Sequence, residues 1–265
     1  MYLKKKLPLI TIITVVYNGE EYIEKTIQSI INQTYTNFEF IVIDGGSTDN
    51  TLNIIKKYEN KISYFISEPD KGIFDAMNKG LQKANGEWVN FMNSGDMFYD
   101  FNVLKSVFCF DYNDFDMIYG DVNLFDDKDS YFVKSKTNKI KINLNAICHQ
   151  SVFIKTKMHP AFSLNYKLSA DHQIIYGFIK NKKVKYLNIF ISKILIGGVS
   201  SNLKDTRKEK FKITLNNGNH IDILLSFFLY LYGMIKDYSK KIILKFLPIN
   251  FFYFLRGFKN KIEQS

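Results

Sequence analysis

Three polar clusters stand directly behind uncharged apolar runs. Tyr17-Asn18 follows Leu9–Val16, Asp44-Gly45-Gly46 follows Phe38–Ile43, and Asn93-Ser94-Gly95-Asp96 follows Trp88–Met92. Carboxylates on such turns suit a hard divalent cation, which takes oxygen ligands and often shares them between one or two carboxylates and a bound phosphate. A metal-bridged diphosphate is therefore the chemistry to expect, with Asp96, beside a flexible Ser94-Gly95, as the best-placed carboxylate. A structural reading competes with this: Asp96 could cap a following helix, and Asp44 could serve only as a turn residue ahead of Gly45. No G-x-G-x-x-G follows the first run and no G-x-x-x-x-G-K occurs, which argues against a nicotinamide dehydrogenase or a P-loop kinase.

The elements that must carry these clusters alternate. Leu9–Val16 has the β-branched, charge-free character of a strand buried on both faces of a parallel sheet. Tyr22, Ile23, Thr26, Ile27, Ile30 and Ile31 then fall on one helical stripe. Phe38–Ile43 is a second strand. Thr48–Tyr58 reads as a helix capped by Ser47, with Asp49 near its positive end. Ile62–Ile66, Ile73–Ala84 and Trp88–Met92 continue as strand, helix and strand. Strands joined by short amphipathic helices imply a doubly wound, mostly parallel α/β sheet. Ligands of such sheets bind at the carboxyl ends of the strands, where all three clusters fall. Beyond Asp121 the pattern loosens: 126–145 reads as a polar loop or edge hairpin, Cys148–Ile154 as a strand, Ser169–Ile179 as a helix, and Val184–Ile196 as a strand ending in Gly197-Gly198.

The 265 residues carry 36 Lys and Arg against 26 Asp and Glu, a formal +10. The excess is uneven: residues 1–120 hold 11 basic and 16 acidic side chains, residues 121–265 hold 25 and 10. A mildly acidic first half with a strongly basic second half argues against nucleic acid as a partner and for two separate jobs. Cys109 and Cys148 have no metal-site or disulfide spacing. The N-terminus lacks a signal-peptide core, and the longest uncharged apolar run, Ile223–Ile235, is short of the roughly 20 residues that span a bilayer. A reducing, cytoplasmic location without a transmembrane helix is expected.

The segments PLITIITVVYNGEEYIEKTIQSIINQTYTNFEFIVIDGGSTDNT and SEPDKGIFDAMNKGLQKANGEWVNFMNSGD resemble a family 2 glycosyltransferase of the GT-A fold over about residues 7–100. Weaker similarity runs through HQSVF and SADHQ to about residue 200. The resemblance implies a Rossmann-like GT-A domain over 1–203, divided into a nucleotide-sugar-binding half (1–120) and an acceptor-side half (121–203), with a basic, largely helical extension at 204–265. It also implies an inverting enzyme that moves a sugar from a nucleoside diphosphate sugar, by family weight a UDP-sugar, to an acceptor hydroxyl with a divalent metal, Mn²⁺ or Mg²⁺. Carried over position by position, Val16, Tyr17 and Asn18 lie along the nucleoside, and Asp44 contacts the base. Lys71, Asp75 and Asn93 face the donor, and Asp96 is the metal ligand. Where many relatives read D-x-D, this chain reads Asn93-Ser94-Gly95-Asp96, one carboxylate fewer.

A single displacement at the anomeric carbon needs a base on the acceptor hydroxyl and stabilisation of the departing diphosphate. Asp171, in Ser169-Ala170-Asp171-His172, sits where the family places its catalytic carboxylate, and Lys71 could assist the leaving group. His172 is the rival base by position and intrinsic pKa, while Asp171 could equally be a first-turn helix residue. His149 and Gln150 face the same cleft as candidate donor or acceptor contacts, or else pack as structural residues. His159 and His220 carry no assigned role. Residues 204–265 hold 12 basic and 5 acidic side chains among apolar ones. Ile223–Ile235 and Phe246–Leu255 could lie in an anionic membrane interface or cover the catalytic domain. Lipid-linked or growing glycan acceptors at the inner face of the cell membrane suit the first arrangement. Two other functions share the layout: a sugar-phosphate nucleotidyltransferase, which needs a Gly-rich basic loop that Tyr17-Asn18-Gly19-Glu20 does not supply, and a non-catalytic membrane assembly protein.

Overall fold

A computed structural model describes residues 7–135, 147–197 and 203–246, with side chains up to residue 235. The chain divides into two compact units, Met1–Ser201 and Asn202–Ser265. In the first, β1 (Ile10–Val16), α1 (Ile23–Ile31), β2 (Phe38–Asp44), α2 (Thr51–Lys56), β3 (Tyr64–Ser67), α3 (Ile73–Leu81) and β4 (Trp88–Phe91) alternate as expected. They are followed by β5 (Met97–Phe98), α4 (Val103–Phe108), β6 (Met117–Phe125), β7 (Ser130–Val133), β8 (Val152–Lys155), α5 (Ala170–Asn181) and β9 (Val184–Leu195).

The strands form one sheet in the order β3-β2-β1-β4-β8-β6-β9-β5, with β7 paired to β6. β1 pairs parallel with both β2 and β4, and β2 parallel with β3. The chain thus builds outward from β1 in one direction, then returns to its other side with β4. That reversal opens a crevice at the carboxyl ends of β1 and β4.

Alternation along β1 explains why it carries no charge. Ile10, Ile12 and Val16 share a core cluster with Ile23, Ile27 and Ile30 of α1. Ile13 projects to the other face, where the Cα of Gly80 in α3 approaches so closely that a Cβ would collide with it. With helices on both faces, each strand position meets apolar atoms. The α/β, doubly wound GT-A-like layout expected from the sequence is the observed one.

Three local readings need correction. First, α2 starts at Thr51 after Asn50, three residues later than expected, because the Ser47 hydroxyl is engaged elsewhere, as described below. Second, Cys148–Ile154 is not one strand: His149–Ser151 forms a 3₁₀ turn and the strand begins at Val152. Asn90 of β4 explains the turn, donating from Nδ2 to the carbonyls of Gln150 (3.1 Å) and Val152 (2.9 Å). Third, the sequence reading assigns no strand around Asp121, where the pattern is expected to loosen, yet Asp121 lies inside β6 with no solvent exposure. Its carboxylate is held by Lys134 Nζ at 2.8 Å, the Ser135 N–H at 2.8 Å and the Tyr186 hydroxyl at 2.9 Å. The edge hairpin expected near 126–145 is present as β6–β7, its turn closed by Asp126 Oδ1 accepting from the N–H groups of Lys128 and Asp129. Gly198 and residues 136–145 of that segment lie outside the described residues.

The second unit is a helical hairpin of α6 (Leu203–Asn217) and α7 (His220–Phe246). Asn219 and Asp222 bond reciprocally at the start of α7, each side chain accepting the other's N–H, a capping box. Phe211 stacks on Tyr230 with centroids 5.4 Å apart. No described helix is long and apolar enough to cross a membrane. Most of the Phe246–Leu255 segment falls outside the described residues.

Candidate functional site

The first wall of the crevice is the loop after β2. Asp44 is fully buried. Its Oδ2 accepts the N–H groups of Gly46 and Ser47 and the hydroxyl of Ser67, while Oδ1 accepts the Ser47 hydroxyl. Four donors on one carboxylate fold the chain back over itself, and Gly46 supplies the left-handed φ of 84° that the bend demands. Ser47 Oγ also accepts the backbone N–H of Asn18 at 2.8 Å, and Asn18 Oδ1 accepts the Thr48 N–H at 2.8 Å. The loops after β1 and β2 are therefore sewn together. Asn18 takes a φ of 48° to do so, a conformation Asn tolerates better than most residues.

Tyr17 is left 64% exposed beside Gly45, whereas the Val16 side chain is buried in the core. Asp70 fills the space a Cβ on Gly45 would need. Lys71 is exposed, and its N–H donates to Asp75 Oδ2 at 3.0 Å. Asp75 also lies 3.9 Å from Lys79, whose stronger partner is Glu68 at 2.8 Å. Of the residues expected to face the donor, Tyr17, Asn18, Lys71 and Asp75 thus present atoms at the surface of the crevice. Asp44, fully buried, presents no exposed atom and shapes the loop instead.

The second wall is the turn after β4. Asp96 N–H donates to the Asn93 carbonyl at 2.9 Å, and Gly95 takes a φ of 97°. Buried Thr26 of α1 pins this turn from below, its Oγ1 donating to the Asp96 carbonyl (2.8 Å) and accepting the Gly95 N–H (3.0 Å). Asp96 caps no helix, since α4 begins only at Val103. The residue is only 7% exposed, and its carboxylate accepts Gln150 Nε2 at 2.7 Å and the Leu195 N–H at 3.2 Å. Burial pushes its pKa up to about 6, against the opposing pull of the Gln150 hydrogen bond, the His149 charge and the Leu195 N–H. A carboxylate desolvated among neutral donors suits a cation that would restore its ionisation. No group of three or more His, Cys, Asp or Glu that could hold a metal gathers among the described residues, at Asp96 or away from it. A hard divalent ion at Asp96 would have this one carboxylate and would need phosphate oxygens to complete its shell.

The 3₁₀ turn and α5 complete the site. His149 Nδ1 stands 3.0 Å from Asp171 Oδ2, and its Nε2 stands 3.1 Å from the amide nitrogen of Asn93. Asp171 is in the first turn of α5, as its position in the sequence implied, and also faces the crevice with about a quarter of its side chain exposed. His172, the rival base expected from the sequence, is buried and lies against Tyr176, and the histidine that meets Asp171 is His149. A small apolar cavity lined by Phe91, His149, His159, Phe162, Asp171 and Ile174 backs this pair. Burial lowers the His159 pKa to about 4, so that ring is neutral at pH 7. Sequence reasoning missed Ser47, Ser67 and Thr26 as organisers of the site. DGGST alone carried a signal for the first of these.

Family comparison agrees with this geometry. The model for Glycosyl transferase family 2 matches residues 11–178, and the chain belongs to that family. A "PGL/p-HBAD biosynthesis glycosyltransferase" of Mycobacterium bovis (strain BCG / Pasteur 1173P2) is 27% identical over 209 residues, 75% of this chain and 81% of the relative. The structure of S. aureus TarS 1-349 superposes with a TM-score of 0.64 at 21% identity, over 83% of this chain and 72% of that one. The mannosyltransferase PcManGT from Pyrobaculum calidifontis, solved with GDP-Man and Mn²⁺, superposes with a TM-score of 0.61 at 13% identity, over 84% of this chain and 69% of that one. These two structures share the fold. The protein is a glycosyltransferase, which sets aside the nucleotidyltransferase reading.

Proposed function

We propose that the chain is an inverting transferase that moves a sugar from a UDP-sugar to an acceptor hydroxyl, with Asp171 as the base. The observation that carries this reading is the convergence of an accessible carboxylate, Asp171, and a buried one, Asp96, on the two sides of Asn93 and the His149-Gln150 turn. Asp171 would take the proton of the acceptor hydroxyl as that oxygen attacks the anomeric carbon. Help of this kind is typically worth 10²–10⁴-fold. A divalent ion at Asp96 would supply Lewis-acid stabilisation of the departing diphosphate. Lys71, on the opposite wall, adds positive charge, and the loop sewn by Asp44, Ser47 and Asn18 holds Tyr17 against the nucleoside. S. aureus TarS 1-349 has been solved with UDP-GlcNAc, which favours UDP as the nucleotide here.

We assign residues 1–120 to the donor, 121–203 to the acceptor side, and 204–265 to attachment. On α7, Ile221, Leu224, Leu225, Phe228, Tyr232 and Ile235 lie on one stripe and are all exposed. With the basic excess of the second half, that stripe supports peripheral binding at the cytoplasmic face of an anionic membrane. It supports in turn a lipid-linked or growing glycan acceptor in surface polysaccharide biosynthesis.

The test has two arms. Thermal unfolding should rise with UDP plus Mn²⁺, and a screen of UDP-sugars should give a product of inverted anomeric configuration by NMR. No response to any nucleotide would favour the non-catalytic alternative, and a retained configuration would sink the single displacement. Sedimentation with anionic vesicles should be strong at low salt and weaken as salt rises. Binding that ignores salt, or none at all, removes the membrane reading.

A further inference from the structure

The cavity behind Asp171 is narrow, apolar and held open. Asp171, Ile174 and Ile175 stand at i, i+3 and i+4 on α5, so the base and two cavity walls share one helical stripe. Phe91 of β4 and Val152 of β8 line the facing wall, and the cross-strand pair Val89–Ile154 closes the floor. Wall and floor are two strand residues apart, about 7 Å. None of these apolar side chains is more than 7% exposed. The rim is polar instead: Asp171 and His149 keep 23% and 17% of their side chains exposed, and His159 borders the same opening.

Phe162 keeps the cavity from collapsing. Asn78 of α3 grips its backbone with both ends of the amide, Oδ1 accepting the Phe162 N–H at 2.7 Å and Nδ2 donating to the Phe162 carbonyl at 2.9 Å. The Phe162 ring stacks on Phe74 at 5.5 Å and meets Phe91 edge-on at 5.1 Å. The space so kept is about 20 Å³, room for a methyl group and not for a sugar ring. Below the rim no lining side chain carries a polar atom, so a water there lacks the partners it needs and a hydrocarbon group is favoured.

We propose that this cavity receives a methyl group of the acceptor sugar, carried beside the hydroxyl from which Asp171 takes the proton. Apart from Val89 and Phe91, every lining residue belongs to the half assigned to the acceptor. Two kinds of sugar carry such a methyl: a 6-deoxy sugar, at C5 beside O4, and a 2-acetamido sugar, beside O3. A sugar without it leaves the cavity empty. One carbon in an apolar pocket typically discriminates about ten- to two-hundredfold. The inference rests on Asp171 being the base.

Two measurements test it, with p-nitrophenyl β-glucoside and β-galactoside, and the 6-deoxy and 2-acetamido analogue of each, as probes. The first needs no turnover. In saturation-transfer NMR on the protein loaded with UDP and Mg²⁺, the methyl protons of one class of analogue should receive more saturation than its ring protons. Val152→Ile, which adds a carbon to the wall, should remove that excess. Saturation spread evenly, or absent from every methyl, overturns the proposal.

The second measures UDP release from UDP-GlcNAc and from UDP-Glc with each probe. Wild type should favour a methyl-bearing analogue over its parent by about ten- to two-hundredfold in kcat/KM, and the analogue preferred names the source of the methyl. Val152→Ile should bring that ratio near one. Ile174→Val, which removes a carbon, should let the analogue one carbon longer overtake. Thermal stabilisation by UDP plus Mn²⁺ reports that each variant is folded. Equal rates for parents and analogues, or a preference that Val152→Ile leaves intact, overturns the proposal. So does a preference confined to the donor, UDP-GlcNAc over UDP-Glc. If Asp171→Asn keeps the full rate, the base assignment fails whatever the methyl preference shows, and the two failures are told apart.

Discussion

The buried carboxylate of Asp96 makes a prediction about stability that is opposite in sign to its value for binding. In the protein without metal its pKa is pushed up to about 6 from the 3.8 of a free Asp carboxylate, chiefly by burial. The folded state therefore holds the proton more tightly than the unfolded chain does. The cost of ionising Asp96 is absent below about pH 4, grows as pH rises through that window, and is complete above about pH 6. Two pKa units correspond to about 3 kcal/mol.

Asp96→Asn removes the charge and keeps the shape. Its Oδ1 can still accept the Leu195 N–H, and the Gln150 amide can turn to offer its oxygen. In EDTA at pH 8 the variant should be about 3 kcal/mol more stable than wild type, a gain of roughly 6–12 °C in Tm for a domain of this size. At pH 3.5 the two should unfold together. Circular dichroism melts across pH 3.5–8 measure this. The same variant should lose the extra stabilisation that Mn²⁺ adds to UDP. A variant less stable at pH 8, or offset equally at both ends of the pH range, would refute the reasoning.

Three further outcomes follow from the geometry. Thr26→Val leaves the buried Gly95 N–H without its acceptor and should cost about 1–3 kcal/mol by urea unfolding, with weaker UDP–Mn²⁺ stabilisation. Asp44→Ala strands four donors at once and should cost about 3 kcal/mol or more, abolishing the thermal response to UDP before any effect on metal is seen. Leu224→Asp with Phe228→Asp places charge on the exposed α7 stripe and should eliminate vesicle sedimentation while leaving UDP stabilisation unchanged.

Legibility in the sequence follows the range of the forces involved. β1, β2 and β4 are readable because strands covered by helices on both faces must be apolar at every position, and the clusters behind them mark the carboxyl ends directly. β6 hides itself: Asp121 interrupts its apolar pattern, and the partners that make the interruption tolerable, Lys134 and Tyr186, lie 13 and 65 residues away. Ser47 satisfies the local rule for a helix cap, yet the fold gives its hydroxyl to Asp44 and Asn18, which local rules cannot weigh. His149 and His172 are both plausible neighbours of Asp171 in the sequence. Only the 3₁₀ turn fastened by Asn90 decides between them, because it swings His149 onto Asp171 from 22 residues away.

The central claim is that Asp171 removes the acceptor proton in a transfer whose donor is held by the crevice behind β1, β2 and β4. Its most direct test is acceptor-dependent release of UDP, measured for wild type and Asp171→Asn at saturating UDP-sugar and Mn²⁺. The account predicts a fall of about 10²–10⁴-fold in kcat with UDP binding intact. A variant that transfers at the wild-type rate would contradict it.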